Sequence, residues 1–147
     1  MADQTILLVE DNPDDEALTL RALEKNNILS TVIVAHDGAE ALELLFSDAG
    51  AHVTHPSLIL LDLNLPKIAG LEVLRRIRAD ERAHFIPVVV LTSSAQHEDI
   101  LNSYASGANA FARKPVGFSE FNAAINAICM FWLLLNEPAP ESVPSSD

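Results

Sequence analysis

Two apolar runs in this chain end abruptly in acid. Thr5-Ile6-Leu7-Leu8-Val9 passes straight into Glu10-Asp11, and Leu58-Ile59-Leu60-Leu61 passes into Asp62. Runs so short and so uniformly apolar read as strands buried on both faces of a parallel sheet. Parallel strands bring their C-terminal ends to one side, where open α/β sheets bind ligands. Carboxylates at two such ends converge, and converging carboxylates suit a hard divalent cation.

The rest of the chain alternates strand and helix. Asn12-Pro13 reads as an N-cap with proline at the first helical position, and Asp14, Asp15 and Glu16 suit the positive end of the helix dipole. That helix is predicted to run to about Asn26-Asn27 and to bury Ala17, Leu20 and Leu23. Thr31 to Ala35 is a second strand, rich in β-branched residues. Asp37 and Glu40 have capping-box spacing ahead of Ala41, Leu42, Leu44 and Leu45. Ser47 to Pro56 reads as a loop, Leu58 to Asp62 as the third strand, and Gly70 to Ala79 as a helix burying Leu71, Leu74 and Ile77. Pro87 introduces a fourth strand, Val88 to Thr92. A helix from Glu98 to Ser106 is stopped by Gly107. Ala110 to Arg113 is a short fifth strand, followed by a long helix from about Ser119 to Leu135. Such alternation implies one α/β domain over residues 5–135, a doubly wound five-stranded parallel sheet with right-handed crossovers. From Asn136 onward proline, serine and glutamate dominate, so residues 136–147 are expected to be a disordered tail.

Charge narrows the partners. The formal net charge is −12, against the basic footprint of nucleic-acid binders and the polybasic segments that seek anionic membranes. The single cysteine, Cys129, excludes an intrachain disulfide and reads as a buried apolar side chain. Met1-Ala2-Asp3-Gln4 lacks the basic start and apolar core of a signal peptide, so a cytoplasmic location is expected.

Four strand ends carry polar residues: Glu10-Asp11, Asp62, Thr92-Ser93 and Lys114. If the strands are parallel, these groups share one pocket. Asp11 and Asp62 would supply oxygens to Mg²⁺, and Glu10 would adjoin the ion or orient a water on it. Without a cation the carboxylates repel one another. A carboxylate so placed is a nucleophile towards phosphorus and yields an acyl phosphate. Lys114 and the Thr92 hydroxyl would then balance the spread charge of the phosphoryl group.

Leu8-Val9-Glu10-Asp11-Asn12, Leu60-Leu61-Asp62-Leu63-Asn64-Leu65-Pro66, Leu91-Thr92-Ser93 and Arg113-Lys114-Pro115 occur in this order. Together they resemble the receiver domain of two-component response regulators. The resemblance implies a flavodoxin-like (CheY-like) fold with strand order 2-1-3-4-5. It implies Asp62 as phosphoacceptor for a histidine kinase, with Asp11, Asp62 and the Asn64 backbone carbonyl as Mg²⁺ ligands and Mn²⁺ as a substitute. Thr92 and Lys114 would bind the phosphoryl group, Lys114-Pro115 would be a cis bond, and Phe111 would be the aromatic switch that follows Thr92. Glu10-Asp11-Asn12-Pro13-Asp14-Asp15 and Phe131-Trp132-Leu133-Leu134-Leu135-Asn136-Glu137-Pro138 further resemble single-domain regulators serving phytochrome-type kinases. Ala69 and Gly117 depart from the family, which commonly places acids at those helix starts.

Plainer readings compete at several positions. Lys25 falls in a helix, Lys67 lies in the loop after Asp62 within reach of a partner, and Asp14 and Asp15 suit a helix N-terminus better than a metal. His52 and His55 lack companion ligands, and His36, His84 and His97 show no pattern. Ala127 to Leu135 is apolar on every side, though too short alone to span a bilayer. A stripe of Phe121, Ile125, Ile128, Trp132 and Leu135 is expected to pack on the sheet, leaving Met130, Phe131 and Leu134 outward. A homodimer through Met130, Phe131, Trp132 and Leu134 is the expected use of that surface, with docking to the kinase as the competing use and a tail folded back over it as the plainer one. Two other functions fit parts of the pattern. A Mg²⁺-dependent phosphohydrolase with an aspartyl-phosphate intermediate would want an acid where Asn64 stands, and a degenerate receiver acting only as a binding module would not need the full set of Asp11, Asp62, Thr92 and Lys114.

Overall fold

The computed structural model describes residues 4–28, 30–47, 55–93 and 96–140. His52, most of the 47–56 loop and the last seven residues of the tail lie outside them. Five strands form one parallel sheet in the order β2-β1-β3-β4-β5: β1 Thr5–Val9, β2 Thr31–Ala35, β3 Leu58–Leu61, β4 Val88–Thr92 and β5 Ala110–Arg113. The helices are α1 Pro13–Lys25, α2 Gly38–Phe46, α3 Gly70–Ala79, α4 His97–Ala105 and α5 Phe118–Cys129.

Alternation along the strands creates two cores. Ile6, Leu8, Leu58, Leu60, Val89 and Leu91 pack beneath α1 and α5 with Ala22, Leu23, Phe121, Ile125 and Cys129. Leu7, Val9, Ile59, Leu61 and Val88 face the other way, against Ala41, Leu45, Val73, Leu74 and Ile77 of α2 and α3. β1, β3 and β4 carry buried residues along almost their whole length, as strands covered on both faces must. Strand order reverses between β1 and β3. The switch point where open α/β sheets bind ligands therefore lies at their C-terminal ends, directly beyond Val9 and Leu61.

The caps follow local chemistry. Asn12 Oδ1 accepts from the Asp14 and Asp15 amides at 2.9 and 3.1 Å, with Pro13 opening α1. Asp37 Oδ1 accepts from the Glu40 amide at 2.7 Å, and Glu40 reaches back to the amide of His36, one residue earlier than a standard capping box. Ala69 and Gly117 start α3 and α5 without any side-chain cap. Gly107 has φ 106° and ends the turn after α4.

Helix faces depart from the expected ones. Ala17 is exposed, and α1 instead buries Thr19, whose hydroxyl bonds to the Asp15 carbonyl at 2.9 Å. In α3 Val73 takes the deep position and Leu71 is only half-buried. The largest difference is at the end of the final helix. Met130–Leu135 is π-helical, so positions four apart stay in line, and Leu133 joins Phe121, Ile125 and Cys129 in the core. Leu135 is exposed with Met130, Phe131 and Leu134, while Ile128 and Trp132 are half-buried against the core. The expected stripe assumed an unbroken α period, which a π segment shifts. By length and composition Phe118–Leu135 could cross a membrane, but here its buried side closes one face of the sheet. Burial also pushes the Cys129 thiol up to about 12.

Candidate phosphoryl and metal site

Continuing the strand alternation explains how the pocket assembles. Glu10 follows the parity of Ile6 and Leu8, Asp62 that of Leu58 and Leu60, and Lys114 that of Ala110 and Ala112. All three therefore point to the side carrying α1 and α5. The backbone stays in register past the strand ends: Asp62 N donates to Val9 O at 3.1 Å and Lys114 N to Thr92 O at 2.9 Å.

The residues singled out from sequence do come together. Lys114 Nζ lies 2.6 Å from Glu10 Oε1 and 2.9 Å from Asp62 Oδ2. The Thr92 hydroxyl donates to Asp62 Oδ1 at 3.0 Å, and the Asn64 amide donates to the same oxygen at 3.0 Å. Glu10, Asp62, Thr92 and Lys114 are buried, whereas Asp11 is exposed at the mouth. Carboxylate oxygens of Glu10, Asp11 and Asp62 lie within 4.8 Å of one another. A hard-oxygen set of that span fits Mg²⁺, which takes one or two carboxylates and keeps several waters. Phe111 is half-buried on β5, paired with Val90 and two residues before the register partner of Thr92.

Some placements differ from expectation. Asp15 does more than serve its helix: its Oδ2 lies 2.8 Å from Lys114 Nζ, making a third carboxylate on that ammonium. Nothing local to α1 signals this second role: it arises because α1 covers the face to which Glu10 points, so that its first turn overhangs the same group. The Lys114-Pro115 bond is trans, as the described residues contain no cis peptide; the trans form is intrinsically favoured even before proline. Lys67, at φ 67°, pairs with Asp37 at 3.3 Å and thereby ties the loop after β3 to α2.

Electrostatics separate the two buried acids. Burial raises the Glu10 carboxyl to about 7, and the neighbouring Asp62 charge adds to this against the opposing pull of Lys114. Burial acts on Asp62 as well, but hydrogen bonds from Lys114 and the Asn64 amide outweigh it and hold Asp62 below the usual carboxylate range. Of the two acids, Glu10 is therefore the one that takes up a proton first as pH falls. Lys114 is held above its ordinary value: its carboxylate partners overcome the cost of burial.

A pH dependence follows. A carboxyl raised from 4.5 to about 7 makes the folded protein bind the extra proton in that window, so its contribution to stability falls as pH rises through it. A divalent cation held by the Glu10, Asp11 and Asp62 cluster would favour ionised Glu10 and offset the same repulsion. Mg²⁺ should therefore raise Tm more at pH 8 than at pH 5.5, and Glu10→Gln should flatten the difference. Thermal melts with and without Mg²⁺ across that range check this, and an equal Mg²⁺ effect at both ends would contradict it.

Comparison with known proteins gives a consistent picture. A family model described as the response regulator receiver domain matches residues 6–126. The probable methanogenesis regulatory protein FilR2 of Methanothrix harundinacea is 38% identical over 136 residues, covering 92% of this chain and 88% of FilR2. Response regulator Rcp1 of Synechocystis sp. is 37% identical over 131 residues, covering 88% of this chain and 89% of Rcp1. The Mn²⁺-bound structure of Rcp1 superposes with a TM-score of 0.84, at 35% identity over 93% of this chain and 99% of that one. The phosphorylated cyanobacterial phytochrome response regulator RcpA superposes with a TM-score of 0.86, at 38% identity over 95% of this chain and 100% of that one.

Proposed function

Because this chain belongs to the response regulator receiver domain family, we propose that it accepts a phosphoryl group from a histidine kinase onto Asp62. One observation carries the reading: a buried carboxylate held by a hydroxyl on one oxygen and an ammonium on the other, with Glu10 and Asp11 alongside. An Asp62 oxygen attacks phosphorus, the bond from phosphorus to the donor imidazole nitrogen breaks, and the leaving imidazole keeps that electron pair and takes up a proton. Thr92 and Lys114 follow the charge onto the phosphoryl oxygens. Asp11 and Asp62, with Glu10 beside them and the Asn64 carbonyl, would hold Mg²⁺, or Mn²⁺ in its place. The ion, when bound, supplies positive charge against the phosphoryl oxygens. Attack of water on phosphorus later breaks the Asp62–phosphorus bond and returns the carboxylate and inorganic phosphate. The protein thus assists its own phosphorylation and dephosphorylation rather than turning over a separate substrate.

The phytochrome-type kinase is favoured as donor by the similarity to RcpA, a phytochrome response regulator. Output passes through the surface near Thr92, Phe111, α4 and α5, whose two arrangements phosphorylation biases. We assign homodimerisation to the exposed Met130, Phe131 and Leu134, in the cytoplasm. Trp132, being half-buried, is a poor probe of it. Phe131→Glu with Leu134→Glu should shift the protein to monomer on sizing; unchanged association would remove this helix from the contact.

Incubation with acetyl phosphate and Mg²⁺, read by intact mass, tests the main reading. One phosphoryl group should be gained by the native protein and none by Asp62→Asn. Equal labelling of that variant would defeat the assignment, and sustained turnover of phosphate esters would favour the phosphohydrolase.

A further inference from the structure

Lys114 uses every donor it has. An ammonium offers three N–H groups, and three carboxylates, those of Glu10, Asp15 and Asp62, stand 2.6, 2.8 and 2.9 Å from its nitrogen. Two of these acids sit at strand ends and face the metal and phosphoryl position. Asp15 does neither. It stands on the first turn of α1, with its amide on Asn12 Oδ1 and its carbonyl receiving the Thr19 hydroxyl, so the backbone behind its carboxylate is fixed. Its neighbour Asp14 shares the same cap through its amide but is exposed, and it makes no ion pair with Lys114.

We propose that Asp15 is a positioning residue for Lys114, holding the ammonium on the α1 side so that an incoming phosphoryl group must compete for it, which slows phosphorylation of Asp62. The inference rests on Asp62 being the phosphoacceptor. A phosphoryl group brings further anionic oxygens to an ammonium whose donors are all engaged. Glu10 and Asp62 remain tied to the metal and the new bond, so Asp15 is the partner that yields. Its own negative charge adds to the repulsion felt by an anionic donor.

Three variants test this with acetyl phosphate and Mg²⁺. Asp15→Asn should label about two- to fivefold faster than the native protein, the scale of a partly exposed ion pair. Asp14→Asn removes the same charge from the same turn without touching Lys114, and should label more slowly than Asp15→Asn. Asp15→Glu restores a carboxylate and should return the rate towards the native one. A second readout needs neither metal nor donor: the ¹⁵N resonance of the Lys114 ammonium, one of three lysines in the chain. It should shift in metal-free Asp15→Asn and stay in place in Asp14→Asn. Labelling of Asp15→Asn at or below the rate of Asp14→Asn, or an unmoved Lys114 resonance, overturns the proposal. Absence of labelling in the native protein instead overturns the phosphoacceptor reading, and the resonance alone then decides whether Asp15 holds Lys114.

Discussion

Replacing Lys114 by methionine should lower the stability of the metal-free protein at pH 8 by about 3–5 kcal/mol, the usual consequence of removing one partner from a buried ion cluster. The ammonium is the only cation in contact with Glu10 and Asp62 among the described residues, and it also pairs with Asp15. Methionine fills much of the space and leaves three carboxylates facing one another. Buried Glu10 and Asp62, losing the ammonium that offsets their desolvation, then favour their protonated forms, so the folded protein binds more protons than the unfolded chain above about pH 4, the range in which free carboxyls ionise. The deficit should therefore grow as pH rises and shrink towards pH 5. Mg²⁺ should restore part of it, by supplying another positive charge to Asp11 and Asp62. Urea unfolding at pH 5 and pH 8, with and without Mg²⁺, measures all of this. A loss below about 1 kcal/mol with no dependence on pH would mean that the cluster stores little energy.

Gly70→Ala should damage the site from the backbone side. A Cβ on Gly70 would stand 2.5 Å from the Asp62 carbonyl oxygen and 2.7 Å from Leu63 Cα, both main-chain atoms with little freedom to move. The Gly70 amide also donates to Leu63 O at 3.1 Å, so the start of α3 is fastened to the turn that carries Asp62. With no side-chain cap at Ala69 to hold it elsewhere, the helix start must back away. Forced overpacking of this kind costs about 1–3 kcal/mol. Displacement of Asp62 relative to Thr92 and Lys114 has the larger effect, since a shift of about 1 Å lowers rates about a hundredfold. Labelling by acetyl phosphate should fall at least about tenfold while the protein remains folded by circular dichroism. Native labelling rates would show that the turn accommodates the methyl group.

The contrast between these two residues marks what a sequence can carry. The apolar runs of β1, β3 and β4 are each too short and too uniform for a helix, and each ends in a polar residue. The sheet and the convergence of Glu10, Asp62, Thr92 and Lys114 were therefore legible. So were the caps at Asn12 and Asp37, whose side chains act on amides two or three residues away. Interactions that depend on how separate elements overhang one another were not. Asp15 looked like a helix-start acid because its second role comes from a lysine 99 positions later. Arg78 had no local signal either. It is tied to the carbonyls of His84, Ile86 and Gly107 and to the Asn109 side chain. The end of the final helix misled for another reason. A residue run that is apolar on every side fits any period, so nothing in Met130 to Leu135 indicated that Leu133 rather than Leu135 would turn inward.

The most direct measurement is chemical identification of the labelled side chain. Borohydride reduces an acyl phosphate to an alcohol and leaves phosphate esters and free carboxylates intact. After treatment with acetyl phosphate and Mg²⁺, reduction and peptide mass mapping should find the aspartate at position 62 converted to homoserine, with Asp11 and Asp15 unchanged. Conversion at another acid, or a phosphoryl group that survives reduction on a hydroxyl or imidazole, would contradict the account.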